Sequence, residues 1–143
     1  MDFLTIDDIR IVVDEDTFEV INQGSAESLD LAEREAIEEI SGYLRSRYDC
    51  NAIFSATGTD RNQQIVMITN DIMLYHLVSW LPKRLGYDIR EIRYNMWLKW
   101  LQEVQAGKVT PNLPGYQSSD GTGEDTSHYR FQYGSMKHQP NVY

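Results

Sequence analysis

The stretch from Ile65 to Leu85 constrains this chain more than any other, because as a helix it is apolar on nearly every side. Ile65, Ile68, Ile72 and Tyr75 fall on one helical line and Val66, Met73, Leu77, Trp80 and Leu81 on another. A helix with a single apolar stripe can lie on a surface, but one that is apolar all round must be enclosed by other elements. The stretch is therefore read as the central helix of a bundle. A membrane span is the competing reading, and Asn70, Asp71, His76, Ser79, Pro82 and Lys83 argue against it. Pro82 removes a backbone donor and predicts a kink or stop before Gly86.

At 143 residues the chain has material for one core, so the remaining helices must cover this one. Thr5 and Asp8 resemble a capping box that opens a brief helix with Ile6, Ile9 and Val13 on one edge. Asp14-Glu15-Asp16 interrupts the apolar pattern as an acidic loop, and Phe18 to Asn22 gives another turn or two before Gly24. A second helix is expected from Asp30 to about Tyr48, with Ala36 or Ile37, Ile40, Leu44 and Tyr48 inward and Glu33, Glu35, Glu38, Glu39 and Arg45 on other faces. From Asp49 to Gln64 the turn-forming composition predicts a long loop anchored by Ile53 and Phe54. A fourth helix opens on Asp88 and Glu91 as a capping box and closes at Gly107, presenting Ile89, Ile92, Met96, Trp97, Trp100, Leu101 and Val104 to the core. The expected fold is all-α, a compact bundle of about four helices over residues 1–108.

Residues 109–143 form a different region, an extended tail. Pro111, Pro114, Gly115, Gly121 and Gly123 stand among Ser, Thr, Asp and Glu, too few apolar groups to offset the entropy of ordering the chain. Yet Tyr129, Phe131 and Tyr133 alternate as in a strand, and with Tyr116 and Tyr143 the tail holds four of the nine tyrosines. Disordered segments are usually poor in aromatics, so these five residues are the candidate partner-binding positions, ordered on binding by strand addition or in a groove. From Pro111 onward the tail can span roughly 110 Å when extended, enough to cross a neighbouring subunit.

Charge narrows the function. The formal net charge is −9, and residues 1–40 alone hold 13 acidic and 2 basic side chains, a net of −11. Gripping nucleic acid needs Lys and Arg to displace phosphate counterions, and this balance runs the other way. An acidic surface can still line a passage through which DNA slides without sticking. Cys50 is the single cysteine, which excludes an intramolecular disulfide and fits a reducing compartment. The start, Met1 to Thr5, has no signal-peptide pattern.

No catalytic constellation emerges. His76 sits in the central helix as a packed or hydrogen-bonded position, while His128 and His138 are scattered in the tail. Cys50 reads as a small residue at a helix end. Asp14-Glu15-Asp16 lacks the spacing and glycine of a calcium loop, and Gly121-Thr122-Gly123 has no strand, helix or lysine where a phosphate cradle requires them. Trp80 and Trp100 are open as interface anchors, whereas Trp97 falls among core positions. No catalytic residue, cofactor or metal ligand is expected, and the chain is not read as an enzyme.

Several segments then fall into a recognisable order. Phe3-Leu4-Thr5-Ile6-Asp7-Asp8-Ile9, Ala36-Ile37-Glu38-Glu39-Ile40 followed by Gly42-Tyr43-Leu44-Arg45-Ser46-Arg47-Tyr48, Asn70-Asp71-Ile72 leading to Tyr75-His76-Leu77, and Arg93-Tyr94 through Trp97-Leu98, Leu101 and Gly107-Lys108 together resemble the head-to-tail connector family of Mu-like phages and prophages. The resemblance covers about residues 2 to 110. It departs in the loop after Tyr48, which lacks the family's prolines and is longer, and in the length of the tail. What it implies is a helical adaptor of the virion, assembled in the host cytoplasm and seated at the head-to-tail junction. Such adaptors form a homo-oligomeric ring, typically twelve-fold, that docks to the portal protein and to neighbouring connector or tail proteins, with DNA passing as cargo and no membrane involved. A tail-completion or head-stabilising phage protein, or a non-viral helical binding module, would share the small size, the acidity and the docking tail.

Overall fold

The computed structural model describes residues 1–23, 26–80 and 86–116. Among these residues it is helical, with α1 (Ile6–Arg10), α2 (Glu15–Asn22), α3 (Ala26–Leu44), α4 (Cys50–Ser55), α5 (Gln63–Trp80) and α6 (Tyr87–Gln105), plus a 3₁₀ turn at Gly58–Asp60. The expected all-α bundle is what forms. Its body is the trio of long helices: α5 packs against both α3 and α6, which also touch each other.

Enclosure of α5 follows from its sequence. Ile65, Ile68, Ile72, Met73 and Leu74 are sealed from solvent, and Val66, Leu77 and Val78 are buried. Each such apolar side chain contributes about 1.5–3 kcal/mol by leaving water, so this helix supplies a larger share of the apolar stabilisation than any other described element. Trp80, its last residue, remains 46% exposed. The expected kink at Pro82 lies outside the described residues.

Local signals set most helix starts. The Thr5 hydroxyl accepts from the Asp8 amide while the Asp8 carboxylate accepts from the Thr5 amide, completing the capping box of α1. Asp14-Glu15-Asp16 is not a loop: Asp14 caps α2 through the Thr17 amide at 2.8 Å, and Glu15 and Asp16 fill its first turn, where carboxylates favour the helix dipole. The helix expected from Asp30 to about Tyr48 is α3, which runs four residues earlier at each end, from Ala26 to Leu44. The expected loop after Asp49 also holds structure, since Asp49 caps α4 through the Ala52 amide and Ile53 drops into the core. Phe54 packs edge-on against Phe3, 5.1 Å between centroids.

One expected cap does not form. Gly86, at φ +63°, stands at the N-cap of α6, and no side chain caps the helix there; Asp88 lies within its first turn. A left-handed residue redirects the chain into α6, and glycine takes that conformation without a Cβ penalty.

Glu33, expected on an outer face of α3, is only 2% exposed. The N-terminal segment crosses over it, and its carboxylate accepts the backbone amides of Asp2 at 2.7 Å, Phe3 at 3.2 Å and Leu4 at 2.6 Å. Three amides compensate the desolvation of one charge and drop Phe3 and Leu4 into the core. Arg61 closes the same corner by donating to the Phe3 carbonyl and the Asp8 carboxylate at 2.8 and 2.6 Å. Burial pushes the Asp8 carboxyl upward, but the hydrogen bonds from Arg61 and Thr5 outweigh it and hold the group below its usual range.

Candidate assembly surface

The rotation of α6 about its own axis decides which side chains the molecule offers to a partner. That rotation is set by Asp71, which lies on α5 with no solvent exposure. Arg93 donates to it from both arms, Nε to Oδ1 and Nη2 to Oδ2, each at 2.7 Å. The Trp97 indole donates to Oδ2 at 2.7 Å, and Arg90 adds a longer ion pair at 3.7 Å. Hydrogen bonding to this carboxylate raises the Arg93 pKa. Burial lowers that of Arg90, which also donates to the Val12 carbonyl at 3.0 Å and so ties the α1–α2 connection to α6. A buried carboxylate with this many charge-assisted donors accepts few other arrangements of the facing helix.

Arg90, Arg93 and Trp97 share the spacing of Ile89, Ile92 and Met96, displaced by one residue. One residue is about 100° of helix, so turning the first set inward turns the second set out. Ile89 is 63%, Ile92 70% and Met96 49% exposed. The expected core face of α6 is corrected accordingly: Trp97, Leu101 and Val104 are buried, Trp100 is half-buried, and Ile89, Ile92 and Met96 form an apolar strip in solvent. Periodicity alone had grouped all seven, because it scores apolar character and assigns none to a polar set that matches a buried acid.

A second polar cluster locks the same helix to α3. The Tyr94 hydroxyl donates to Glu39 Oε1 at 2.6 Å, and His76 Nε2 lies 3.0 Å from Glu39 Oε2. Tyr94 stacks on Tyr75 at 4.1 Å between centroids. Burial pushes the Glu39 carboxyl up, and its bonds to His76 and Tyr94 more than reverse this, leaving it lowered. Burial and the adjacent carboxylate together raise the Tyr94 phenol well above its ordinary value. His76 thus has a hydrogen-bonding partner within the bundle. This cluster braces three helices through side-chain hydrogen bonds that converge on Glu39.

Of the five tail positions, Tyr116 falls among the described residues and is 60% exposed; Tyr129, Phe131, Tyr133 and Tyr143 lie outside them. The start of the tail runs back along the bundle. Gly107, at φ +77°, ends α6, after which Val109 and Leu113 pack against the core. The Asp49 amide then donates to the Pro114 carbonyl at 2.9 Å and the Tyr116 amide to the Arg47 carbonyl at 3.0 Å, an isolated antiparallel bridge between Tyr48 and Gly115. Beside this bridge lies a shallow hollow of about 310 Å³ that includes Glu38, Arg45, Cys50 and Tyr116. Burial raises the Cys50 thiol, which disfavours the nucleophilic thiolate. Among the described residues no group of His, Cys, Asp and Glu is placed to hold a metal ion, and no helix is long and apolar enough to cross a membrane. Comparison with protein-family models, curated proteins and solved structures gives no match to this chain.

Proposed function

We propose that the chain is a structural adaptor subunit of a tailed phage, assembling into a ring at the head-to-tail junction that docks to the portal and lets DNA pass. The observation that carries this reading is the α6 strip: three large apolar side chains held in solvent by a rigid, hydrogen-bonded clamp on the opposite flank. A helix held this firmly with apolar residues outward supports a role in contact with another protein. The sequence resemblance to the Mu-like connector family supports the choice of this assembly. The acidity of residues 1–40 supports a wall past which DNA moves without adhesion. The tail, starting from its docked portion at Tyr116, supplies the attachment to portal or neighbour through Tyr129, Phe131, Tyr133 and Tyr143.

The test is to mix the purified chain with a candidate portal, measure the mass of the complex in solution and image it. A ring of chains on the portal is the expected result. A chain that ignores the portal at every concentration tried sinks the reading and favours a tail-completion protein or a non-viral binding module.

A further inference from the structure

The start of the tail leaves one strand edge open. In the antiparallel bridge between Tyr48 and Gly115, the Asp49 amide donates to the Pro114 carbonyl and the Tyr116 amide to the Arg47 carbonyl. In a pair of this kind the two bridged residues exchange no bonds with each other, so the N–H and C=O of Gly115 point to the opposite edge. Neither group has a partner among the described residues, and Gly115 is exposed. Such an edge is a template for one more strand. We infer that residues 129–133 of the same chain pair antiparallel with this edge and stow the tail aromatics on the body of the free subunit.

The face of the strand selects the occupant. Gly115 has no side chain, and no atom lies within 4 Å of where its Cβ would stand. Leu113, two residues earlier and so on the same face, packs against the core, and Tyr48, paired with Gly115 across the bridge, is buried. An aromatic side chain on the next strand can lean across such a glycine and fill the open space. Tyr129, Phe131 and Tyr133 alternate with Arg130 and Gln132, so as a strand they offer aromatics on one face and polar groups on the other. Centring that run on the glycine sets Phe131 opposite Gly115, where each donates its amide to the other's carbonyl, and Tyr133 opposite Leu113.

The tether favours the chain's own segment. The described chain ends at Tyr116, the residue after Gly115, and twelve residues separate Tyr116 from Tyr129. They reach about 40 Å when extended, ample to reverse direction and return to the adjacent strand position, and Asp120-Gly121 suits the reversal. A short connection of this kind holds the segment at an effective concentration on the order of millimolar, above that of a second copy in dilute solution. The inference rests on the Gly115 edge and on reading the tail aromatics as binding positions, and not on the ring. Its consequence is regulatory, because the same aromatics are withheld from a portal or neighbour until this pairing opens.

The experiment is residue-resolved hydrogen exchange and NMR of the full chain over about 0.05–1 mM protein, with helicity checked by circular dichroism. The expected result is a Gly115 amide that exchanges about tenfold more slowly than an unbonded one, and a Gly115 α-proton shifted upfield by the Phe131 ring, both unchanged on dilution. Phe131→Pro removes the donor to the Gly115 carbonyl and returns the Gly115 amide to the unbonded rate with helicity intact; Phe131→Leu abolishes the upfield shift. A Gly115 amide that exchanges freely in the parent chain, protection indifferent to Phe131→Pro, or an upfield shift that survives Phe131→Leu each overturns the pairing. Protection that vanishes on dilution marks a second copy's strand and overturns it as well. If Gly115 is unprotected yet a ring forms on the portal, this inference alone fails; if Gly115 is protected and no ring forms, the ring reading alone fails.

Discussion

The two flanks of α6 invert the usual rule. The flank against α5 presents two arginines and an indole nitrogen to a sealed carboxylate, whereas the flank one residue round presents two isoleucines and a methionine to water. On area alone the apolar triplet would bury itself at about 25 cal/mol per Å². It does not, because the acid on α5 sets a larger penalty. Leaving Asp71 buried without donors would cost several kcal/mol, and turning the triplet inward would also take Trp97, Leu101 and Val104 out of the core. The lesson is that a buried charge, together with the apolar residues that share its flank, fixes how a helix is turned.

Breaking the clamp should have the largest effect. Asp71→Ala leaves Arg93 and the Trp97 indole without their acceptor and is expected to lower stability by about 3 kcal/mol, read from chemical denaturation at neutral pH. A loss under about 1 kcal/mol would mean that apolar packing sets the turn of α6 after all.

The brace at Tyr94 sharpens the comparison through pH. The Glu39 carboxyl is lowered in the folded chain from its ordinary 4.5, so it contributes stability that is present above that value and lost as pH falls through the folded value. Glu39→Gln is expected to cost about 1–2 kcal/mol at pH 7, with the gap to the parent chain closing as pH drops below 4.5. A gap constant down to acid pH would exclude the carboxylate as its source.

The outward flank should show the smallest effect on folding. Ile92→Asn is expected to shift the unfolding free energy by no more than about 0.5 kcal/mol in chemical denaturation, as for other exposed positions. Marked destabilisation instead would place Ile92 in the core.

Wherever one residue type and its near neighbours decide the outcome, the sequence was readable. Thr5 with Asp8 opens α1, the dense apolar pattern of Ile65 to Val78 makes α5 central, and Gly107 ends α6. What escaped depends on partners distant along the chain. Glu33 reads as a surface acid until the N-terminal segment folds over it, and Asp71 reads as an interruption in an apolar helix until Arg93 and Trp97 arrive from 22 and 26 residues away. The outward strip was hidden for the same reason, since its exposure is a consequence of the Asp71 clamp. Tyr116 could be singled out by type, but its anchorage to Arg47 is a backbone contact that no side-chain pattern announces.

That anchorage has an evolutionary side. The bonds from Asp49 to Pro114 and from Tyr116 to Arg47 join main-chain atoms, which every residue other than proline can supply as donors and any residue as acceptors. The position with the strictest requirement is Gly107, where the left-handed backbone, at φ +77°, strains any L side chain and a Cβ would also displace the end of the Arg47 side chain. With that glycine kept, the side chain at Tyr116 can drift without loss of the main-chain bond to Arg47 that holds this segment to the helical body. Selection along this stretch therefore acts on backbone shape before it acts on side-chain identity.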